Sequence, residues 1–217
     1  MKRVILIAFL ILIMTMNNTT MAQNTIKLPA PATTGGMPLN EALATRHSVR
    51  EYDSTRLLTD QQLSDMLWCA AGVNRPDSKM RTNPTAMNTQ EIDLYLFTAE
   101  GVYLYDPFAN TLEKKAEGDH RSLVAGNAQF TQDFVMDAPV SVVMVADVAR
   151  FETPAQRNTA MACIDAGIVS ENICLYCASE ELATVPRVTM DAEGIQTLLG
   201  LPATSMPIIN NPIGYAK

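Results

Sequence analysis

The hydrophobic pattern of this chain changes period several times along its length. Val4 to Met16 is an apolar run behind a basic start, Met1-Lys2-Arg3, and Asn17 to Ala22 is polar with a small residue at its end. Asn24 to Met37, with Pro29, Pro31, Gly35 and Gly36, reads as an extended arm. Leu39 to Thr45 predicts a short amphipathic helix. Thr59-Asp60-Gln61-Gln62 is a capping start for a helix running to about Gly72, with Leu63, Met66, Leu67 and Ala70 on one face. Val73 to Asn88, with Pro76 and Pro84, is expected to be loop. Ile92–Phe97 and Val102–Tyr105 flank a turn at Glu100-Gly101 and predict a hairpin. Helical segments are expected near Asp119–Ala125 and Phe130–Met136. Val140 to Ala146, a nearly unbroken apolar run between Pro139 and Asp147, predicts a buried central strand.

The longest helical pattern runs from about Pro154 to Ala183. Met161, Ile164, Ile168, Leu175, Ala178 and Leu182 form one stripe, and Ala162, Val169, Ile173 and Tyr176 fill a second. A helix apolar round most of its girth is buried on most sides. In a domain this small, its second face is expected to meet another subunit. A short strand near Arg187–Thr189, a helix from Asp191 to Leu199 and an extended Ser205–Ile213 complete the chain. Helices and strands are interspersed with few βαβ signals, so the predicted class is α+β.

The basic, apolar and polar succession of residues 1–22 has the layout of a secretory signal and is too short for a stable membrane span. The expectation is an exported protein, periplasmic or otherwise extracytoplasmic. Residues 23–38 form its extended arm and residues 39–217 a single domain. Loss of Lys2 and Arg3 with the signal takes the formal charge from −7 to −9. So acidic a chain is a poor partner for nucleic acid or an anionic membrane surface.

Against that charge, Arg46-His47-Ser48-Val49-Arg50 stands out. Two guanidiniums with a hydroxyl between them form a compact multi-donor site for one phosphate. The same residues could instead be a solvated helix end, paired with Glu41, Glu51 or Asp53. The four cysteines, Cys69, Cys163, Cys174 and Cys177, include a lone C-x-x-C. It lies deep in a helical pattern, and the only histidines are His47 and His120, so apolar packing is favoured over a zinc or thiol-redox site.

Four segments in order resemble the nitroreductase-like FMN-dependent oxidoreductases. They are Arg46–Arg50, Arg81-Thr82-Asn83-Pro84-Thr85-Ala86-Met87-Asn88, the helix ending Leu182-Ala183-Thr184-Val185-Pro186, and Pro212-Ile213-Gly214-Tyr215. The resemblance implies a mainly antiparallel central sheet flanked by helices, with the long buried helix at a homodimer interface and FMN touched by both chains. It also implies that Arg46, Ser48 and Arg50 hold the FMN phosphate, with His47 beside the ribityl chain or phosphate. Pro84, Thr85, Ala86, Met87 and Asn88 would run along the isoalloxazine ring from the partner, Asn88 hydrogen-bonding the flavin. Thr184 and Val185 would present a backbone N–H near flavin N5, and Gly214 and Lys217 would lie where the tail returns towards the phosphate. The implied activity moves a hydride from a nicotinamide-type donor to a small oxidant such as a nitroaromatic or quinone, with an azoline-forming dehydrogenase branch also open. A non-catalytic exported flavin carrier is the alternative. Glu181 and Ala183 stand where the family often places glycine, so the turn that aims the N5 contact is expected to be built differently here.

Overall fold

The apolar runs at Ile92–Phe97 and Val140–Ala146 become neighbouring strands at the centre of the molecule. The computed structural model describes residues 24–152 and 157–217. The expected secretory signal and the expected start of the long helix at Pro154 lie outside the described residues. In chain order the elements are β1 (Thr25–Lys27), α1 (Leu39–Thr45), α2 (Asp60–Ala71), β2 (Val73–Arg75), β3 (Met80–Arg81), β4 (Ile92–Thr98), β5 (Gly101–Asp106) and β6 (Thr111–Glu117). There follow α3 (Arg121–Ala125), β7 (Val140–Asp147), α4 (Asn158–Ser179), β8 (Leu182–Thr184), α5 (Ala192–Leu199) and β9 (Ser205–Tyr215).

Seven strands form one sheet in the order β1-β6-β5-β4-β7-β9-β8, and every neighbouring pair is antiparallel. Alternation along a strand sends successive side chains to opposite faces. Leu94, Leu96, Val142 and Met144 therefore face one core, shared with Met66 and Leu67 of α2 and Val169 and Ile173 of α4. Tyr95, Phe97, Val143 and Val145 face the other, shared with Val124 of α3 and Ile195 of α5. A strand covered on both faces has no polar side to show, which is why these runs do not alternate. The expected α+β class and antiparallel sheet are what the fold displays.

Local chemistry sets several boundaries. Thr59 accepts from Gln62 N–H at 3.1 Å and Gln62 Oε1 accepts from Thr59 N–H at 3.0 Å, a complete capping box at the start of α2. Asp106 Oδ1 accepts from Phe108 and Ala109 N–H at 2.8 and 3.1 Å, turning β5 into β6. β6 is a half-exposed edge-side strand with mixed charges, and its hydrophobic pattern is too weak to announce it. The stretch expected to be loop holds the small β2–β3 hairpin. Where a helix is expected at Phe130–Met136, only a 3₁₀ turn at Asp133–Asp137 forms. Arg187 makes a single bridge to Asn210 in place of a strand over Arg187–Thr189.

The long helix ends at Ser179 and does not reach Ala183. Glu181 adopts φ +55°, which stops the helix, and Leu182–Thr184 then pair with Ile213–Tyr215 of β9. By length and composition α4 could cross a bilayer. In the fold, Ala162, Ala166, Val169, Ile173 and Cys177 pack its inward face against the sheet.

Gly214 pairs with Ala183, and a Cβ there would lie 2.7 Å from Pro139 Cδ and 3.3 Å from Tyr52 Cδ1. Gly214→Ala is therefore expected to destabilise the protein by about 1–3 kcal/mol through overpacking. Urea denaturation measures this, and an unchanged midpoint would show that the Pro139 ring gives way freely.

Candidate active site

α1 ends at Thr45, and the next residues run extended along the edge of the sheet. Val49 N–H donates to Thr184 O at 3.0 Å, which fixes the Arg46–Arg50 segment beside β8. Further along, Asp53 N–H donates to Tyr215 O at 2.9 Å and Lys217 N–H to Glu51 O at 3.3 Å. The Tyr52 hydroxyl sits 3.0 Å from Val49 O and 3.2 Å from Pro212 O, tying this segment to β9. Burial pushes that phenol well above its ordinary pKa, so it stays a neutral donor.

Between this segment, the C-terminal half of α4 and β8 lies a cleft of about 320 Å³. Arg46, His47 and Val49 line one side, Cys174 and Cys177 the floor, and Glu181 and Thr184 the other side. Arg46 Nε is 3.8 Å from Glu171 Oε1, with Arg46 half-buried and Glu171 exposed. Such a pair is weak, and it leaves the outer guanidinium N–H groups free for an anion. His47 Nδ1 lies 2.7 Å from Thr45 O, so the ring N–H is spent locally if Nδ1 carries it.

The wall behind the cleft is a buried polar network. Asn211 on β9 donates from Nδ2 to Thr184 Oγ1 at 3.2 Å and accepts at Oδ1 from Ser170 Oγ of α4 at 2.6 Å. It thereby joins sheet, helix and the Thr184 turn in one piece. Asn211 Nδ2 also lies 3.6 Å from Cys174 Sγ. Burial raises the Cys174 thiol to about 11 and holds Cys177 well above its ordinary value. That is the opposite of a reactive pair, whose thiolate must be favoured. Both cysteines are free and buried. No group of three or more His, Cys, Asp or Glu suited to a metal occurs among the described residues.

The cleft does not gather every residue singled out in the sequence. Ser48 and Arg50 are exposed and lie outside its lining, Val185 is buried behind it, and Gly214 backs Ala183 in the β8–β9 pair. Ala216 reaches the cleft, whereas Lys217 is held outside by Glu51. Pro84, Met87 and Asn88 are exposed, and Thr85 and Ala86 half-buried, on the N-terminal half of α4. Ala86 N–H donates there to Asp165 Oδ2 at 2.7 Å. Asp165 and Cys174 are about 13 Å apart along the helix axis, so one chain does not bring Asn88 to its own cleft.

Several residues were not singled out by sequence. Asn211 and Ser170 hold the cleft wall. Arg187, also buried, donates to Gln132 Oε1, Asn210 Oδ1, Val124 O and Ala125 O. Burial lowers its pKa to about 10, and no carboxylate pairs with it among the described residues. Glu91 and Asp165 are buried carboxyls near Ala86. The one signal for Asp165 is an acid inside an otherwise apolar helical pattern. Nothing in the sequence marks Asn211.

The Nitroreductase family profile matches residues 43–215. A structure from Ralstonia eutropha JMP134, designated a nitroreductase, shares 36% identity at a TM-score of 0.82, covering 92% of each chain. Another from Anabaena variabilis ATCC 29413 has 19% identity and a TM-score of 0.71, covering 89% of this chain and 42% of that one. An FMN-dependent nitroreductase from Clostridium difficile R20291 has 16% identity and a TM-score of 0.58, covering 82% and 87%. The last two establish the fold alone. No curated protein matches in sequence. The chain belongs to the Nitroreductase family.

Glu181 occupies the left-handed conformation, at φ +55°, on the rim of this cleft. A non-glycine residue there costs about 1–2 kcal/mol of backbone strain. Glu181→Gly is expected to stabilise the ligand-free protein by about 1 kcal/mol, after allowing for the greater freedom of glycine in the unfolded chain. A thermal melt reads the change. A lower melting temperature would mean that the Glu181 side chain makes a contact worth more than the strain.

Proposed function

We propose that this protein is an FMN-dependent oxidoreductase that passes a hydride from a nicotinamide-type donor to a small oxidant such as a nitroaromatic or a quinone. The observation that carries the reading is the cleft itself. It places Arg46, with guanidinium N–H groups to spare, across from the Thr184 turn, in a chain whose family has FMN-dependent relatives.

The residues fit the cofactor in charge and shape. Arg46 would hold the phosphate, joined by Ser48 and Arg50 once the exposed Arg50 side chain swings inward, and His47 would lie beside the ribityl chain. The Val49–Thr184 hydrogen bond and the Asn211 network keep the turn at Thr184–Val185 rigid, so a backbone donor there is preorganised. FMN, when bound, supplies the hydride-accepting centre, and the protein supplies orientation and electrostatics. The apolar floor at Cys174 and Cys177 would shield a bound flavin from water on that side.

The site is completed by a second copy of the chain. Pro84, Thr85, Ala86, Met87 and Asn88 lie too far along α4 to serve their own cleft, and α4 leaves apolar surface uncovered, Ile164 being 64% exposed. A homodimer that buries this face would carry one protomer's Asn88 to its partner's flavin. Residues 1–22 suggest that the enzyme works outside the cytoplasm.

The visible absorption spectrum of the purified protein, titrated with FMN, tests the cofactor. Flavin bands that co-purify or saturate on titration are expected, with reduction by NADH or NADPH and reoxidation by a nitroaromatic. Bound flavin that no donor reduces would point to a carrier, and no bound flavin would overturn the reading. Arg46→Ala and Arg50→Ala are each expected to weaken FMN binding by about 1.5–3 kcal/mol, the loss of a charged hydrogen bond. Flavin fluorescence gives the two dissociation constants, and wild-type values in both variants would remove the phosphate assignment.

A further inference from the structure

Two carboxyl groups that the cleft does not use are buried together beneath the Pro84–Gln90 segment. Glu91, just before β4, is fully buried, and Asp165 of α4 is 5% exposed. Asp165 Oδ2 accepts the Ala86 N–H at 2.7 Å. Glu91 Oε2 lies 2.6 Å from Thr89 Oγ1, which is itself 2.9 Å from Ala86 O. Both backbone groups of Ala86 are therefore tied, one directly and one through Thr89, to this pair of acids. The turn between them is held against its own preference. Met87, Asn88 and Gln90 all take φ between 50° and 55°, a conformation that persists where the surroundings over-determine it.

The hydrogens do not balance if both acids are ionised. Glu91 Oε1 has no N–H or O–H partner among the described residues. Thr89 has one hydroxyl hydrogen and two acceptors in reach. No Lys, Arg or His forms an ion pair with either acid among the described residues. The charged groups on the surrounding elements are engaged elsewhere or exposed. Arg150 holds Asp93, Asp147 and Gln90 O, Arg81 donates to Ile92 O, and Arg157 before α4 is exposed. A charged carboxylate buried beside a second acid is costly, and a proton on Glu91 supplies the missing donor. Burial, opposed by the Thr89 hydrogen bond and reinforced by the Asp165 carboxyl, pushes Glu91 above the usual carboxylate range.

We propose that Glu91 keeps its proton and turns it towards Asp165, and that the two side chains form a latch on the Ala86–Gln90 turn, so that Asn88 is positioned for FMN only while Glu91 stays protonated. The last clause rests on the reading of the site given above. Glu91 and Asp165 are positioning residues, since neither touches the cleft.

The sign of the pH dependence follows from the proton count. The folded chain keeps on Glu91 a proton that the unfolded chain releases in the ordinary carboxylate range, so this contribution to stability falls as pH rises from that range to the ionisation of Glu91 in the folded chain. Each pH unit within that window lowers the protection of the turn, and with it FMN affinity, by about tenfold, and above the window the loss levels off. Glu91→Gln replaces the Glu91 proton with a permanent N–H donor towards Asp165, and its carbonyl still accepts from Thr89. The variant should therefore keep the latch closed at every pH.

The test uses the full chain, first without FMN. Amide hydrogen exchange over residues 86–90 is followed from acid to alkaline pH as a protection factor, alongside the infrared carbonyl band of a protonated carboxyl group. In the wild type, the band is expected to persist above the ordinary carboxylate range and to vanish at the top of the pH range over which protection is lost. In Glu91→Gln, that band is absent and protection is flat with pH. A wild-type band that disappears within the ordinary carboxylate range, or the same loss of protection with pH in Glu91→Gln, overturns the latch. FMN titrations at matching pH then separate the two readings. Affinity that ignores pH while protection falls overturns the positioning of Asn88. A wild type that binds no FMN at any pH overturns the site reading, and the exchange data still decide the latch.

Discussion

A central strand with apolar side chains on both faces must be covered twice, and β7 imposes that demand on everything around it. Val142 and Met144 need one layer and Val143 and Val145 another. Each such side chain gains about 1.5–3 kcal/mol on full burial, so leaving either face open would cost much of the stability of a domain this size. α4 meets the demand on one face and α3 with α5 on the other. The cleft is a by-product of how α4 does so. Its last turn ends at Ser179, the chain reverses through Glu181, and β8 returns along the sheet edge, leaving a step where helix, strand and the Arg46–Val49 segment converge.

Covering the sheet with a long helix also brings polar groups inside, and the molecule spends them on alignment. Ser170, Asn211 and Thr184 form one chain of hydrogen bonds from α4 through β9 to β8. On the opposite face, Arg187 satisfies the carbonyls of Val124 and Ala125 at the end of α3, which a five-residue helix cannot satisfy internally. Buried groups of this kind are costly when unpaired. They allow few alternative registers of β9, a strand that also carries a bulge between its pairings with Met144 and Val145.

Much of this fold could be read from the residues. Continuous apolar runs located β4 and β7 because burial on two faces leaves a plain signature, and Thr59 with Gln62 located α2 because a capping box is local chemistry. The Arg46–Arg50 segment was conspicuous as positive charge in an acidic chain. What could not be read depends on distant partners. β6 is a strand because β5 and β1 flank it, since its own Glu-Lys-Lys sequence has no β pattern. β8 looked like the end of a helix because Leu182 falls on the helical stripe, and only the backbone angle at Glu181 diverts it. Asn211, Glu91 and Asp165 acquire meaning from neighbours far away in sequence, so no spacing rule finds them. Nor could spacing show that Asn88 and the cleft lie at different ends of α4.

The two ends of the sheet share a property with a practical consequence. β1 and β8 are each three residues long. Beyond β8, Val49 N–H takes the Thr184 carbonyl and covers that end of the strand. At the other margin, the chain that follows β1 is stitched to α2 and Asn110 through Ala30, Ala32 and Pro29. A foreign strand seeking to extend this sheet would find only short, interrupted templates. A chain rich in β-structure thus carries its own protection against edge-to-edge polymerisation. Deletions that trim either margin would show first as aggregation in concentrated solution, before any loss of the folded core.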